Sequence, residues 1–374
     1  MSIQIKQRFS VVLAFPMIVL LGCLFSCSTE NPDGFITVKE PIISTDDVDK
    51  VDISNNPDNP NEPNQNFSTS SNLNDLYFTN PDTGYIVGSN LVIRTTDKGE
   101  SWKTLSQANL EFTTIYFEND SHGILGGNDE FYSYVFTTSN GGSTWEQVAR
   151  FWYQNELTTV EGVFSESNGN NLVILLNQRP NATQNYGHVY ISDNKGQDFE
   201  RIGTNGRQGI STAAEYSGLI YSISTPYWTG SKYNLVQNTI PFLNNGNRDL
   251  IPINIDSSGN LSEVLNPISI ILGENLNIIV GDNGRFAISS DSGNNWTIRT
   301  IPQALSKDLT SAIINGSEII VSSEDGIIYR SDDSGVGWEE TTSVGNKRIS
   351  EIHRLSESEV LVIGEDGLIR ILTF

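Results

Sequence analysis

From residue 73 onward the chain runs in short apolar stretches that alternate with polar residues and are broken by Gly, Asn, Asp and Pro. In LNDLYFTNPDTGYIVGSNLVIRTTDKGESWKTL (73–105) this reads as a strand, a turn over 80–84, a strand YIVG and a short turn. A strand LVIRTT, a polar turn and a fourth strand from Trp102 follow. A period of two marks a strand with two unlike faces. The same order returns in IIVGDNGRFAISSDSGNNW (278–296) and IIVSSEDGIIYRSDDSGVGW (319–338). Unit starts fall near residues 73, 110, 157, 209, 265, 309 and 348, which makes seven units. The seventh, RISEIHRLSESEVLVIGEDGLIRILTF, stops after its third strand.

The polar turn is itself a repeat: TTDKGESW (95–102), TSNGGSTW (138–145), SDNKGQDF (192–199), SSDSGNNW (289–296) and SDDSGVGW (331–338). The last residues are 43, 54, 97 and 42 apart, and the long interval leaves room for a degenerate copy, LNNGNRDL (243–250). Its chemistry is local. An Asp or Asn side chain accepts backbone N–H groups and holds the turn. The Gly takes a positive φ, and the aromatic packs between neighbouring sheets. Asp97, Trp102, Asn140, Trp145, Asn194, Phe199, Asp291, Trp296, Asp333 and Trp338 are therefore read as structural staples rather than catalysts or metal ligands.

The pattern S/T-x-D/N-x-G-x-x-W resembles the Asp-box of BNR-repeat β-propellers. Seven four-stranded antiparallel units predict an all-β, seven-bladed β-propeller. The last blade needs a fourth strand from the N-terminal side, with NFSTS (66–70) or GFITVKE (34–40) as donor. The strings GYIVG, NLVIRTTDKGESW and VIGEDGLIR are similar to the photosystem II assembly/stability factor-like group of these propellers, over about residues 73–374. The resemblance implies a binding scaffold, often without enzyme activity. It does not carry over the photosynthetic role.

The N-terminus predicts an address. Lys6 and Arg8 precede an apolar run from Phe9 to Leu21, the layout of a secretory signal. Pro16 interrupts the run, which is short for a membrane span. Both cysteines of the chain follow, in LLGC (20–23) and LFSC (24–27). Each resembles the lipobox of bacterial lipoproteins, where the thiol is acylated after cleavage just before it. Cys27 is the expected lipidation site and Cys23 the runner-up. Cleavage before Cys27 leaves no free thiol for disulfides, thiol catalysis or a cysteine metal site. Residues 28–72, rich in Asp, Asn, Pro and Ser, read as a flexible tether. Asp46, Asp47, Asp49 and Asp52 lack the order of an EF-hand loop and read as solvated charge. The expected division is a signal peptide over 1–26, a lipidated tether over 27–72 and the propeller over 73–374. The expected location is the bacterial cell envelope, with the membrane engaged only through the lipid.

Twenty-two Lys+Arg against 45 Asp+Glu give a formal net charge of −23. That balance argues against nucleic acid, whose binders neutralise phosphates with Lys and Arg. It also argues against purely electrostatic binding to an anionic membrane. No cofactor or metal is expected. His122, His188 and His353 lie in different units with no ligand spacing. A sialidase-like glycoside hydrolase or lyase is the alternative reading, but the nearest Arg-Ile-Pro string, Arg299-Thr300-Ile301-Pro302, has one residue too many and follows a late repeat.

Two tryptophans lie outside the repeated turns. Trp152 sits in ARFWYQNE (149–156) and Trp228 in STPYWTGSKY (224–233). In a propeller the connections between strands 2 and 3, and between blades, share one face; the repeated turns share the other. The longest 2–3 connections read as GNDEFYS (127–133), NQRPNATQNYG (177–187) and the Trp228 segment. A patch of Tyr132, Trp152, Tyr153, Arg179, Tyr186, Tyr227, Trp228 and Lys232 is expected over units 2–4. Exposed aromatics beside basic and amide groups suit a protein hot spot or a stacked sugar ring of an extracellular glycan. The bland alternative folds these aromatics inward.

Overall fold

The computed structural model describes residues 67–152, 157–181, 184–203, 208–241 and 251–374. The chain forms seven antiparallel sheets, one per predicted unit, each starting with its inner strand. The inner strands are Leu73–Phe78, Glu111–Phe117, Leu157–Glu166, Ile210–Tyr216, Pro267–Leu272, Leu309–Asn315 and Ile349–Arg354. Each touches the inner strands on both sides, and the last touches the first, so the sheets close into a seven-bladed ring. Among the described residues there is no α-helix, only two 3-10 turns, Pro302–Ala304 and Glu365–Gly367.

Seven hydrophobic clusters fill the seven seams between blades. Trp102 of blade 1 packs on Leu361 and Ile363 of blade 7. Trp145 of blade 2 packs on Tyr85, Val87 and Val92 of blade 1. Phe199 of blade 3 meets Ile124 and Val135 of blade 2. Trp296 of blade 5 leans on Tyr221 and Leu235 of blade 4, and Trp338 of blade 6 on Phe286 of blade 5. Each aromatic thus reaches back onto the preceding blade. Trp102, Trp145 and Phe199 are buried, whereas Trp296 and Trp338 are only half-buried. Trp296 is therefore not the fully enclosed core residue that its place in the repeat suggests. The outer part of its seam is open enough for its Nε1 to bond both Gly293 O at 3.0 Å and Gln237 Oε1 at 3.2 Å.

The glycine ending strand 2 in YIVG, IIVG and VIG has a steric cause. A Cβ on Gly88, Gly281 or Gly364 would stand 2.0, 2.3 or 2.0 Å from the carbonyl oxygen of Asn72, Asn266 or Arg348. The next residue in each blade (Ser89, Asp282 or Glu365) donates its N–H to that same carbonyl at 2.9, 3.1 or 3.0 Å. Bare backbone there lets the loop between strands 2 and 3 clasp the chain entering the inner strand.

Three local expectations change. Residues 67–70 form no strand, so this part of NFSTS does not close blade 7. The segment instead crosses a turn of that blade: Gly367 N donates to Ser71 O at 2.9 Å and Asp366 N to Asn72 Oδ1 at 3.2 Å. GFITVKE lies outside the described residues, as does the degenerate LNNGNRDL copy. The NQRPNATQNYG segment is not a long loop but a hairpin, Asn171–Asn181 with Gln184–Ser192, because cross-strand pairing continues through Gln178 and Tyr186. The Trp228 segment is likewise ordered, with Tyr227–Trp228 paired to Asn234 and Tyr233.

Candidate functional site

The repeated turns occupy one face. In the first, Thr95 Oγ1 accepts the Gly99 N–H at 2.9 Å, Asp97 Oδ1 accepts the Ser101 N–H at 3.0 Å, and Trp102 Nε1 donates to Gly99 O at 3.2 Å. The other four turns repeat the two backbone bonds with Ser or Thr at the first position and Asn or Asp at the third. Two successive residues take positive φ, Lys98 at 62° and Gly99 at 86° in the first turn. Bonds from Asn295 and Ser289 hold the Asp291 carboxyl below its ordinary range, and bonds from Gly337 and Ser331 do the same for Asp333. These carboxylates are occupied in tying their own turns.

The opposite face carries the connections between strands 2 and 3 and between blades. Eight large hydrophobic residues are exposed among the described residues. Six of them, Phe131, Trp152, Leu157, Trp228, Leu261 and Leu305, belong to this loop face; Tyr216 and Val336 lie on the other. Of the expected patch, Trp152, Arg179, Trp228 and Lys232 are exposed, and Tyr132, Tyr186 and Tyr227 are half-buried. Tyr153 lies outside the described residues. The contacts form two groups. Arg150 lies 4.6 Å over the Tyr132 ring, which also meets Tyr134 at 6.0 Å. On blade 4, Trp228 meets Tyr233 at 4.9 Å, and Lys232 Nζ reaches Ser257 Oγ at 3.3 Å.

A central cavity of about 550 Å³ runs between the inner strands. Each inner strand carries a bulge at the same place, leaving Asn74, Thr113, Glu161, Ser211, Ile268, Thr310 and Ser350 out of the ladder to strand 2. A bulge re-aims side chains, and here it aims them at the next blade. Asn74 Nδ2 donates to Phe112 O at 2.8 Å, Thr113 Oγ1 to Val160 O at 2.7 Å and Ser211 Oγ to Pro267 O at 2.5 Å. The residue after the bulge accepts the next blade's N–H: Asp75 from Ile115 at 2.7 Å, Ser311 from Ile352 at 3.4 Å and Glu351 from Leu76 at 2.9 Å. Burial raises the Glu161 carboxyl above its ordinary range, against bonds from Thr159 and Asn177. Tyr77 is pushed up to about 12 by burial and then by Glu215 and Asp75, while burial pushes Tyr116, hydrogen-bonded to Glu215, further still.

Residues 59–214 match the family model described as photosynthesis system II assembly factor YCF48. That match spans less than half of the chain. A solved structure of YCF48 bound to a D1 peptide is 16% identical, with a TM-score of 0.61 over 86% of this chain and 98% of that one. YCF48 from Cyanidioschyzon merolae is 16% identical, with a TM-score of 0.58 over 82% and 96%. A computationally designed protein, Ika8, reaches 0.54 at 9% identity over 83% and 98%. No curated protein matches the sequence significantly.

Several polar groups of the propeller have structural partners. Arg299 Nη1 donates to Ser334 O at 3.0 Å, which ties the Arg-Thr-Ile-Pro string to the turn of the next blade. Arg330 and Arg354 both pair with Glu318, and Arg285 pairs with Asp282. His188 bonds Gln178 at 2.6 Å and is pushed down to about 3 by burial; His353 stacks 4.4 Å from Phe78 and is pushed down to about 4. Among the described residues no three His, Cys, Asp or Glu side chains are grouped to hold a metal. Sequence reasoning missed the cavity acids Asp75, Glu161, Glu215 and Glu351. A signal existed: at the position after the bulge, blades 2, 4, 5 and 6 carry Thr114, Thr212, Ser269 and Ser311, whereas blades 1 and 7 carry Asp75 and Glu351.

Proposed function

We propose that this chain is a non-enzymatic binding or assembly scaffold of the cell envelope, anchored by lipid at Cys27, that presents its loop face to a protein. The single observation behind this reading is the bias of exposed large apolar side chains, six of eight among the described residues, to that face. Protein surfaces concentrate binding energy in aromatic anchors set among other apolar groups. Leu157, Leu261 and Leu305 on the same face offer no flat ring for a sugar, so a protein suits the face better than a glycan. The D1 peptide held by the similar YCF48 structure supports the same reading. The alternative of a glycoside hydrolase or lyase lacks comparable support. The acids brought together, Asp75 and Glu351, are hydrogen-bonded to each other, whereas such enzymes hold theirs about 5 Å or more apart.

Trp152→Ala and Trp228→Ala should each weaken partner capture by the full chain about tenfold while shifting its stability by less than about 1 kcal/mol. Trp152 lies between blades 2 and 3 and Trp228 on blade 4, so the double variant should show the sum of the two free-energy losses. Affinity capture with quantitative mass spectrometry, run beside thermal melting, measures both. Retained capture by a folded double variant rejects the loop face as the working surface. A glycan array run with the same variants would expose a sugar ligand. For the anchor, Cys27→Ser should abolish palmitate incorporation and release the chain from membranes, while Cys23→Ser should not. Continued labelling of the Cys27 variant would move the anchor to Cys23.

A further inference from the structure

The ring closes where the inner strand of blade 7 meets that of blade 1. At that seam two carboxylates share one donor. The Leu76 N–H reaches Asp75 Oδ1 at 2.8 Å and Glu351 Oε2 at 2.9 Å. Asp75 Oδ2 also accepts the Ile115 N–H at 2.7 Å, and Glu351 is hydrogen-bonded to Asp75. Two carboxylates in contact cannot both ionise cheaply, so the pair holds one proton between them. At the equivalent place in blade 6 a neutral alcohol, Ser311, makes the same inter-blade bond to Ile352. An acid is therefore not required for the wall bond, and its use at the closing seam makes that seam titratable.

We propose that Asp75 and Glu351 form a proton-operated latch, in which one shared proton holds blade 7 to blade 1 and its loss loosens this seam ahead of the other six.

Burial, followed by the Asp75 charge, lifts the Glu351 carboxyl well above its ordinary range, so Glu351 carries the proton and donates it toward Asp75. The surrounding charges do not reverse this. Blade 1 adds Tyr77, protonated until strongly alkaline pH. The inner strand of blade 6 contains no ionisable residue, and Glu318 on its second strand is paired with Arg354. On the strand of Glu351 itself, His353 is pushed down to about 4 and is neutral above that. The second strand of blade 7 carries Glu359 at its exposed start. Glu161 and Glu215 line the same cavity from across the ring, and Arg348 is its cation. The folded value lies above the unfolded one. The latch therefore contributes fully below the unfolded carboxylate range and is lost as pH rises through the folded value.

Hydrogen exchange of the full chain, corrected for the intrinsic pH dependence of exchange, tests this between about pH 5 and pH 9. With rising pH, Leu73–Phe78 and Ile349–Arg354 should lose protection about tenfold more than Pro267–Leu272 of blade 5. Glu351→Gln keeps a donor and an acceptor without the charge, so it should remove that difference. Equal loss across all inner strands, or a difference that survives in folded Glu351→Gln, overturns the proposal. Should that variant not fold, Asp75→Asn decides it: without the neighbouring charge, the transition should move to lower pH, and an unmoved midpoint overturns the latch.

Discussion

Trp102→Ala is expected to destabilise the propeller by about 3–5 kcal/mol, the cost of emptying a large aromatic site in a packed core. Trp102 is 4% exposed and fills the seam between the first and last blades, with Leu73, Leu76, Ile86, Leu361 and Ile363 around it. Its loss removes contacts on both sides of the closing seam and the indole bond to Gly99 O. Against a typical total stability of about 5–15 kcal/mol, that is a large share. Trp296→Ala, at a half-buried site, should cost about 1–3 kcal/mol. Denaturant midpoints of the two variants compare them directly. Equal losses would show that the depth of burial at a seam does not set the contribution of its aromatic.

Gly364→Ala should destabilise by about 2–4 kcal/mol, toward the upper end of what overpacking costs. The added methyl would lie 2.0 Å from Arg348 O and 3.1 Å from Ile349 Cα, both backbone atoms that cannot rotate away. Relief requires the loop between strands 2 and 3 to release the Glu365 N–H bond to Arg348 O, now 3.0 Å. Gly259→Ala is the control, because nothing lies within 4 Å of its Cβ position. It should be neutral within about 0.5 kcal/mol. A melting shift at Gly259 as large as that at Gly364 would remove close approach as the explanation.

The number of blades, the strand order within them and the repeated turns were legible from residue 73 onward, because each rests on neighbours along the chain. Asp97 bonds Ser101, four residues away, and strand alternation needs only a period of two. The order of strands and connections also assigned Trp152 and Trp228 to one face, and both are exposed. That order could not show that the Trp228 segment is itself a paired hairpin, or that Gln178 and Tyr186 extend the strands of blade 3.

Composition, the repeat and the positions of its turns determined the all-β ring and the division of its surface into two faces. Tertiary structure alone decided which repeat aromatics are deeply buried and which acids meet in the central cavity. It set Trp102 apart from Trp296, and it brought Glu351 to the Leu76 N–H across 275 residues of sequence. The reason is the range of the interactions. Turn bonds and strand pleat are fixed within a few residues, whereas burial and the protonation of a carboxyl depend on every blade that surrounds the site.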